Sequence, residues 1–109
     1  MIYTKPEQFA DVTATCKANI YFDGKVTSHT IILADGSRKT LGLIYPGTYK
    51  FDTGVAEVMD IIAGTCRVRV ADQETWQEYA AGDYFEVPGN AYFTIEVESG
   101  ITEYVCSFK

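Results

Sequence analysis

Along most of the chain, apolar and polar side chains alternate in short stretches broken by glycine and proline. Residues 25–34 hold Val26, Thr27, Thr30, Ile31 and Ile32, a β-branched composition that suits a pleated, half-buried strand. Asp35-Gly36 interrupts them and predicts a type I′ hairpin, in which both central residues need positive φ. A second strand is predicted over 38–45 and is closed by Pro46-Gly47, beyond which Tyr49 and Phe51 continue the alternation. Residues 56–63 form a largely apolar run, the pattern of a strand covered on both faces. After Gly64, residues 65–70 alternate strictly, which turns Arg67 and Arg69 outward against Val68 and Val70. A polar stretch over 72–75 leads into Trp76 and Tyr79, and further strands are predicted over 83–87, 92–97 and 101–108.

Strands this short, at regular spacing and with Gly and Pro punctuation, predict an all-β sandwich or barrel. Only residues 6–16 have a composition that allows a helical turn. A chain of 109 residues, with no repeat or linker, supports one domain. The net charge of -6 argues against nucleic acid as a partner, because such partners select a basic surface. No apolar run approaches the ~20 residues that a membrane crossing needs, and the N-terminal stretch lacks the apolar core of a secretory signal. Cys16, Cys66 and Cys106 are odd in number and far apart, which suits free thiols in a reducing cytoplasm.

Two spacings carry more information. Gly47 precedes Glu57, which is followed by six residues and Gly64; Gly82 is followed by five residues and Pro88-Gly89-Asn90. Together they resemble the two signature motifs of the cupin superfamily, small jelly-roll barrels with a ligand cavity. Metal-binding cupins place histidines in these motifs, but here Phe51, Thr53, Val55 and Phe93 occupy those positions and His29 is the only histidine. A three-histidine metal site within one subunit is therefore excluded, and no paired-cysteine spacing replaces it.

A narrower resemblance rests on six stretches: residues 19–26 (Asn-Ile-Tyr-Phe-Asp-Gly-Lys-Val), 46–51, Glu57-Val58-Met59, Trp76, 82–89 (Gly-Asp-Tyr-Phe-Glu-Val-Pro-Gly) and Tyr104-Val105-Cys106. In this order and spacing they resemble the pyrimidine/purine nucleoside phosphorylases, a family of very small cupins. The likeness spans about residues 17–108 and leaves residues 1–17 as an N-terminal extension, either an extra strand or a dimer arm, ahead of a cupin domain over 18–109. It implies an RmlC-like jelly-roll barrel in which phosphate attacks C1′ of a nucleoside, releasing free base and ribose 1-phosphate. It also implies a broad range of purine and pyrimidine nucleosides, no metal or organic cofactor, and a homodimer.

The residues contain the chemistry such a reaction needs. Breaking an N-glycosidic bond passes through oxocarbenium-like character, and the attacking phosphate calls for cationic donors. Arg38 and Lys25 are the candidates, with Ser37 and Thr40 as hydroxyl donors, because a guanidinium binds two phosphate oxygens at once. Glu57 occupies the first-motif position that points into the barrel in cupins, the alternative being a strand-end carboxylate at the surface; with Glu86 it is a candidate for the ribose hydroxyls and the charge that develops on the sugar. An inward carboxylate is costly unless it is paired, so a neighbouring Arg38 would complete one polar cluster. Asn90 and Tyr104 are candidates to hydrogen-bond the departing base, Phe93 and Tyr104 to flank it, and Tyr49 is a further substrate-binding candidate. Cys66 and Cys106 read as small core residues, and His29 as a surface or interface residue.

Two rival readings remain at this stage. One is a non-catalytic cupin that binds a nucleoside or sugar; the other is a metal-free sugar isomerase or epimerase, for which His29 is the only candidate histidine.

Overall fold

The computed structural model describes residues 6–109. In chain order the strands are β1 (Thr13–Ala14), β2 (Asn19–Tyr21), β3 (Val26–Ile32), β4 (Arg38–Ile44), β5 (Gly47–Asp52) and β6 (Glu57–Ala63). They continue with β7 (Thr65–Val70), β8 (Gln77–Ala80), β9 (Tyr84–Val87), β10 (Tyr92–Val97) and β11 (Thr102–Phe108). Among the described residues, the only helical element is one tight turn over Phe22–Gly24.

The strands form two antiparallel sheets. The larger runs β1-β3-β4-β11-β6-β9 with β2 also paired to β3, and the smaller runs β5-β10-β7-β8. The chain crosses repeatedly between them, as in a jelly roll, and the two ladders stay separate instead of closing into one continuous barrel.

Side chains alternate across a strand, so the inward set of each strand follows from its register. Thr30, Thr40, Cys106, Met59 and Phe85 stand opposite one another across β3, β4, β11, β6 and β9. The next inward row is Ser28, Gly42, Tyr104 and Ile61. From the smaller sheet, Phe93, Ile95, Val97, Cys66 and Val68 close the core against them. Ile61 and Ile95 are fully buried, and truncating either to alanine is expected to cost about 2–5 kcal/mol.

Two local expectations are corrected. The β3–β4 hairpin is not type I′, because only Gly36 has positive φ (86°) and Asp35 does not. Gly36 N donates to Leu33 O at 2.9 Å and Leu33 N to Ser37 O at 2.9 Å, the pattern of a three-residue loop that ends in a glycine bulge. Asp35 Oδ1 stabilises that loop by accepting from Ser37 N at 2.9 Å and Ser37 Oγ at 2.6 Å. Residues 6–16 hold no helical turn; Thr13 and Ala14 instead pair with Ile32 and Ile31 at the edge of the larger sheet. Thr15 N extends this pairing by donating to Thr30 O at 2.8 Å. Residues 1–5 of the predicted extension lie outside the described residues.

Candidate active site

Between the sheets lies a cavity of about 360 Å³. The larger sheet lines it with polar groups: Ser28 and Thr30 from β3, Arg38 and Thr40 from β4, Tyr104 and Cys106 from β11, Glu57 from β6 and Asn19 from β2. The smaller sheet contributes Phe51, Phe93 and Ile95. Each strand delivers these residues at i, i+2 spacing, so the site is a consequence of the pleat.

Phe51 and Phe93 stack with centroids 5.6 Å apart and planes 23° from parallel. Phe85 meets Phe93 edge-on at 5.7 Å, and Tyr21 meets Phe51 edge-on at 5.7 Å. At two positions where metal-binding cupins place histidine, this chain therefore builds an aromatic wall. Thr53, at a third such position, is buried, donating to Pro88 O at 2.7 Å and accepting from Ala91 N at 3.0 Å. Among the described residues no group of three or more His, Cys, Asp or Glu side chains is placed to hold a metal ion.

Arg38 and Glu57 line the same cavity, but Phe108 stands between them. It pairs in register with Glu57 on one side, and the Arg38 guanidinium lies 4.5 Å from its ring centroid on the other. Among the described residues no ion pair joins Arg38 to Glu57. The cation–π contact holds the guanidinium while leaving its N–H donors unspent. Glu57 Oε1 instead accepts a weak hydrogen bond from Cys106 Sγ at 3.4 Å. Burial pushes the Glu57 carboxyl above the ordinary carboxylate range, and the Cys106 contact only partly offsets this. Burial, and then the neighbouring Glu57 charge, push the Cys106 thiol up as well, so it stays protonated and acts as a donor.

Tyr104 is 8% exposed. Burial raises its phenol pKa, and a hydrogen bond with the Ser28 hydroxyl opposes that rise. The phenol is neutral at pH 7 and available to donate.

Four predicted residues do not line this cavity. Lys25 is exposed at the end of the Phe22–Gly24 turn. Tyr49 is buried and spends its hydroxyl on Tyr45 O at 2.8 Å and Pro46 O at 2.9 Å. Glu86 is exposed and faces Lys109 at 3.7 Å. Asn90 sits in a turn with φ 52°, its N–H donating to Gly54 O at 3.0 Å. Of the hydroxyl candidates, Thr40 lines the cavity and Ser37 is engaged in the hairpin loop. His29 is exposed, with Nδ1 3.3 Å from Thr15 O.

Sequence reasoning passed over Asn19, Ser28, Thr30 and Cys106 as site residues. For Ser28 and Thr30 a signal existed, since they share the inward face of β3 with Val26. Polar side chains on a face otherwise made of core residues mark a cavity.

The family model for pyrimidine/purine nucleoside phosphorylase matches residues 16–108. The chain belongs to that family. A family member from Cupriavidus taiwanensis, named pyrimidine/purine nucleoside phosphorylase, is 56% identical over 102 residues, covering 94% of this chain and 96% of its own. One of the same name from Methylococcus capsulatus is 55% identical over 101 residues, covering 93% and 97%. A crystal structure from Acinetobacter sp. ADP1, described as a protein of unknown function, superposes with a TM-score of 0.91 at 44% identity, covering 94% of this chain and 98% of that one. The cupin architecture extends to distant folds: a cupin domain of Schizosaccharomyces pombe matches with a TM-score of 0.61 at 14% identity, covering 87% and 70%.

Proposed function

We propose that this protein is a pentosyltransferase that catalyses phosphorolysis of purine and pyrimidine nucleosides to free base and ribose 1-phosphate. The observation that carries this reading is the cavity itself, which sets a cation and a carboxylate on the polar sheet against a stacked aromatic wall on the other. Relatives with the matching name support the same chemistry.

Arg38 binds the incoming phosphate through its free N–H fork. Glu57, when ionised, accepts from the ribose hydroxyls and stabilises positive charge developing on the sugar. Phe93 and Phe51 pack against the base, and any purine or pyrimidine offers them a π-face. A phosphate oxygen forms the new bond to C1′ as the bond from C1′ to the base nitrogen breaks. The bonding pair leaves with the base, and Tyr104 supplies a hydrogen bond as that charge builds. Lys25, Tyr49, Glu86 and Asn90 take no part in this scheme, since none lines the cavity. The enzyme works as a homodimer in the cytoplasm, where its three free cysteines stay reduced.

The test is base release from uridine and inosine by chelator-treated protein, with and without inorganic phosphate. Release that requires phosphate and yields ribose 1-phosphate supports phosphorolysis. Phosphate-independent release would make the protein a hydrolase. Saturable binding of both nucleosides without turnover would favour the non-catalytic cupin. Arg38→Ala is expected to raise the KM for phosphate by about 10–100-fold, as loss of a charge-assisted bidentate contact should.

A further inference from the structure

We infer that Asn19 and Ser28 are positioning residues: they turn the Tyr104 hydroxyl so that its proton points into the cavity, where it meets the departing base. This inference rests on the phosphorolysis reading.

The geometry begins at Gly42. In the inward row across β3, β4 and β11, Gly42 stands between Ser28 and Tyr104. A Cβ at Gly42 would collide with Cζ and Cε1 of Tyr104 and with Thr27 O. The missing side chain therefore lets the Tyr104 ring lie over β4, extending from β11 toward Ser28 on β3. A residue with any side chain at 42 would hold the ring back on its own strand.

The direction of the hydrogen bonds then follows from the donor inventory. Asn19 Nδ2 donates to Ser28 Oγ at 3.1 Å and to Thr30 Oγ1 at 3.1 Å. An amide nitrogen only donates, so both hydroxyls are acceptors in these bonds and their own protons go elsewhere. Ser28 is 2% exposed, which keeps bulk water from taking its proton, and the side chain that reaches toward it across Gly42 is Tyr104. With Ser28 donating, the Tyr104 oxygen is the acceptor and its own O–H is the one donor left over. Among the described residues no protein acceptor takes that proton, and Tyr104 lines the cavity. The chain of bonds is thus directed: Asn19 to Ser28, Ser28 to Tyr104, Tyr104 to ligand.

A hydroxyl donor of this kind serves a carbonyl oxygen or a ring nitrogen equally well. It also matters most when the leaving base is poor, and that dependence separates positioning from a merely structural role. The experiment measures kcat and KM for uridine and 5-fluorouridine, whose base leaves more readily, in wild type, Ser28→Ala, Asn19→Ala, Tyr104→Phe and the Ser28→Ala/Tyr104→Phe double variant. Tyr104→Phe is expected to lower kcat for uridine by about 100-fold, the low end for a positioned proton or hydrogen-bond donor, and Ser28→Ala, which acts through Tyr104, by about 10-fold, as loss of one hydrogen bond should. Both losses should shrink on 5-fluorouridine, and Ser28→Ala should cost nothing further once Tyr104→Phe is present. Ser28→Thr, which keeps the hydroxyl, should restore most of the rate, and Asn19→Ala should reproduce the Ser28→Ala pattern from a different strand.

Losses that multiply in the double variant, or that are equal for the two substrates, would overturn the inference while leaving phosphorolysis standing. A wild type that releases no base, or releases it without phosphate, would overturn the phosphorolysis reading and this inference with it.

Discussion

Glu57 sits half-buried, with one weak thiol donor for company, and its physical chemistry sets a trade between stability and activity. Its carboxyl is raised above its ordinary value of 4.5, chiefly by burial. The folded state therefore binds the Glu57 proton more tightly than the unfolded state does. The resulting stability is fully present below pH 4.5 and is lost as pH rises through the higher folded value. Glu57→Gln, which stays neutral, should unfold at higher urea than wild type at pH 7, and the gap should close below about pH 4. The same variant should lose about 10²–10⁴-fold in kcat if the carboxylate stabilises the sugar. The thiols allow a second check at this scale. Burial pushes Cys66 up to about 12 and raises Cys106 as well, whereas Cys16 is exposed. The native protein should expose one rapidly reacting thiol to Ellman's reagent at pH 8, the other two reacting only on denaturation.

At the scale of elements, the β3–β4 hairpin determines whether Arg38 and Thr40 face the cavity, because a slip of one residue would turn both outward. Its register depends on Gly36, whose positive φ no side chain adopts comfortably, although the space beside it is open. Gly36→Ala should therefore destabilise the fold by about 1–2 kcal/mol through backbone strain alone, read as a lower urea midpoint with an unchanged slope. That hairpin also shows what was legible in the sequence. Asp-Gly announced a turn at the right place, but a glycine bulge and a type I′ turn both want that glycine, so the dipeptide did not settle the geometry. Glu57, Arg38, Phe93 and Tyr104 were legible as cavity residues because each lies on a long alternating strand or in a motif of fixed spacing. Asn19 was not, because β2 is three residues long, too short for a period of two to show. Its place in the site depends on folding back against β3, which is a tertiary fact. Cys106 was read correctly as buried, yet only the register of β11 against β6 brings its sulfur to Glu57.

At the scale of the molecule, the question is what covers the back of the larger sheet. An antiparallel sheet with one face on the core commonly turns polar side chains to water on the other. Here the outward positions of β4, β11 and β6 include Leu41, Leu43, Val105 and Ile62, in a groove of about 400 Å³ that Phe9 and Val12 cover only in part. Leu41 remains 38% exposed. An apolar sheet face of this kind is what a self-association surface needs, and it supports the proposed homodimer. Sedimentation at micromolar concentration should give twice the 12.1 kDa chain mass. Leu41→Glu, placing a charge on that face without touching the cavity, should shift the protein to monomer. A wild type that sediments as a monomer would remove the dimer from the proposal. If the Leu41→Glu monomer keeps full phosphorolysis, each subunit holds a complete site, in keeping with a cavity lined from within one chain. If activity falls along with the dimer, the partner's presence is needed to hold the larger sheet, and with it the rows that carry Ser28, Tyr104 and Glu57, in register.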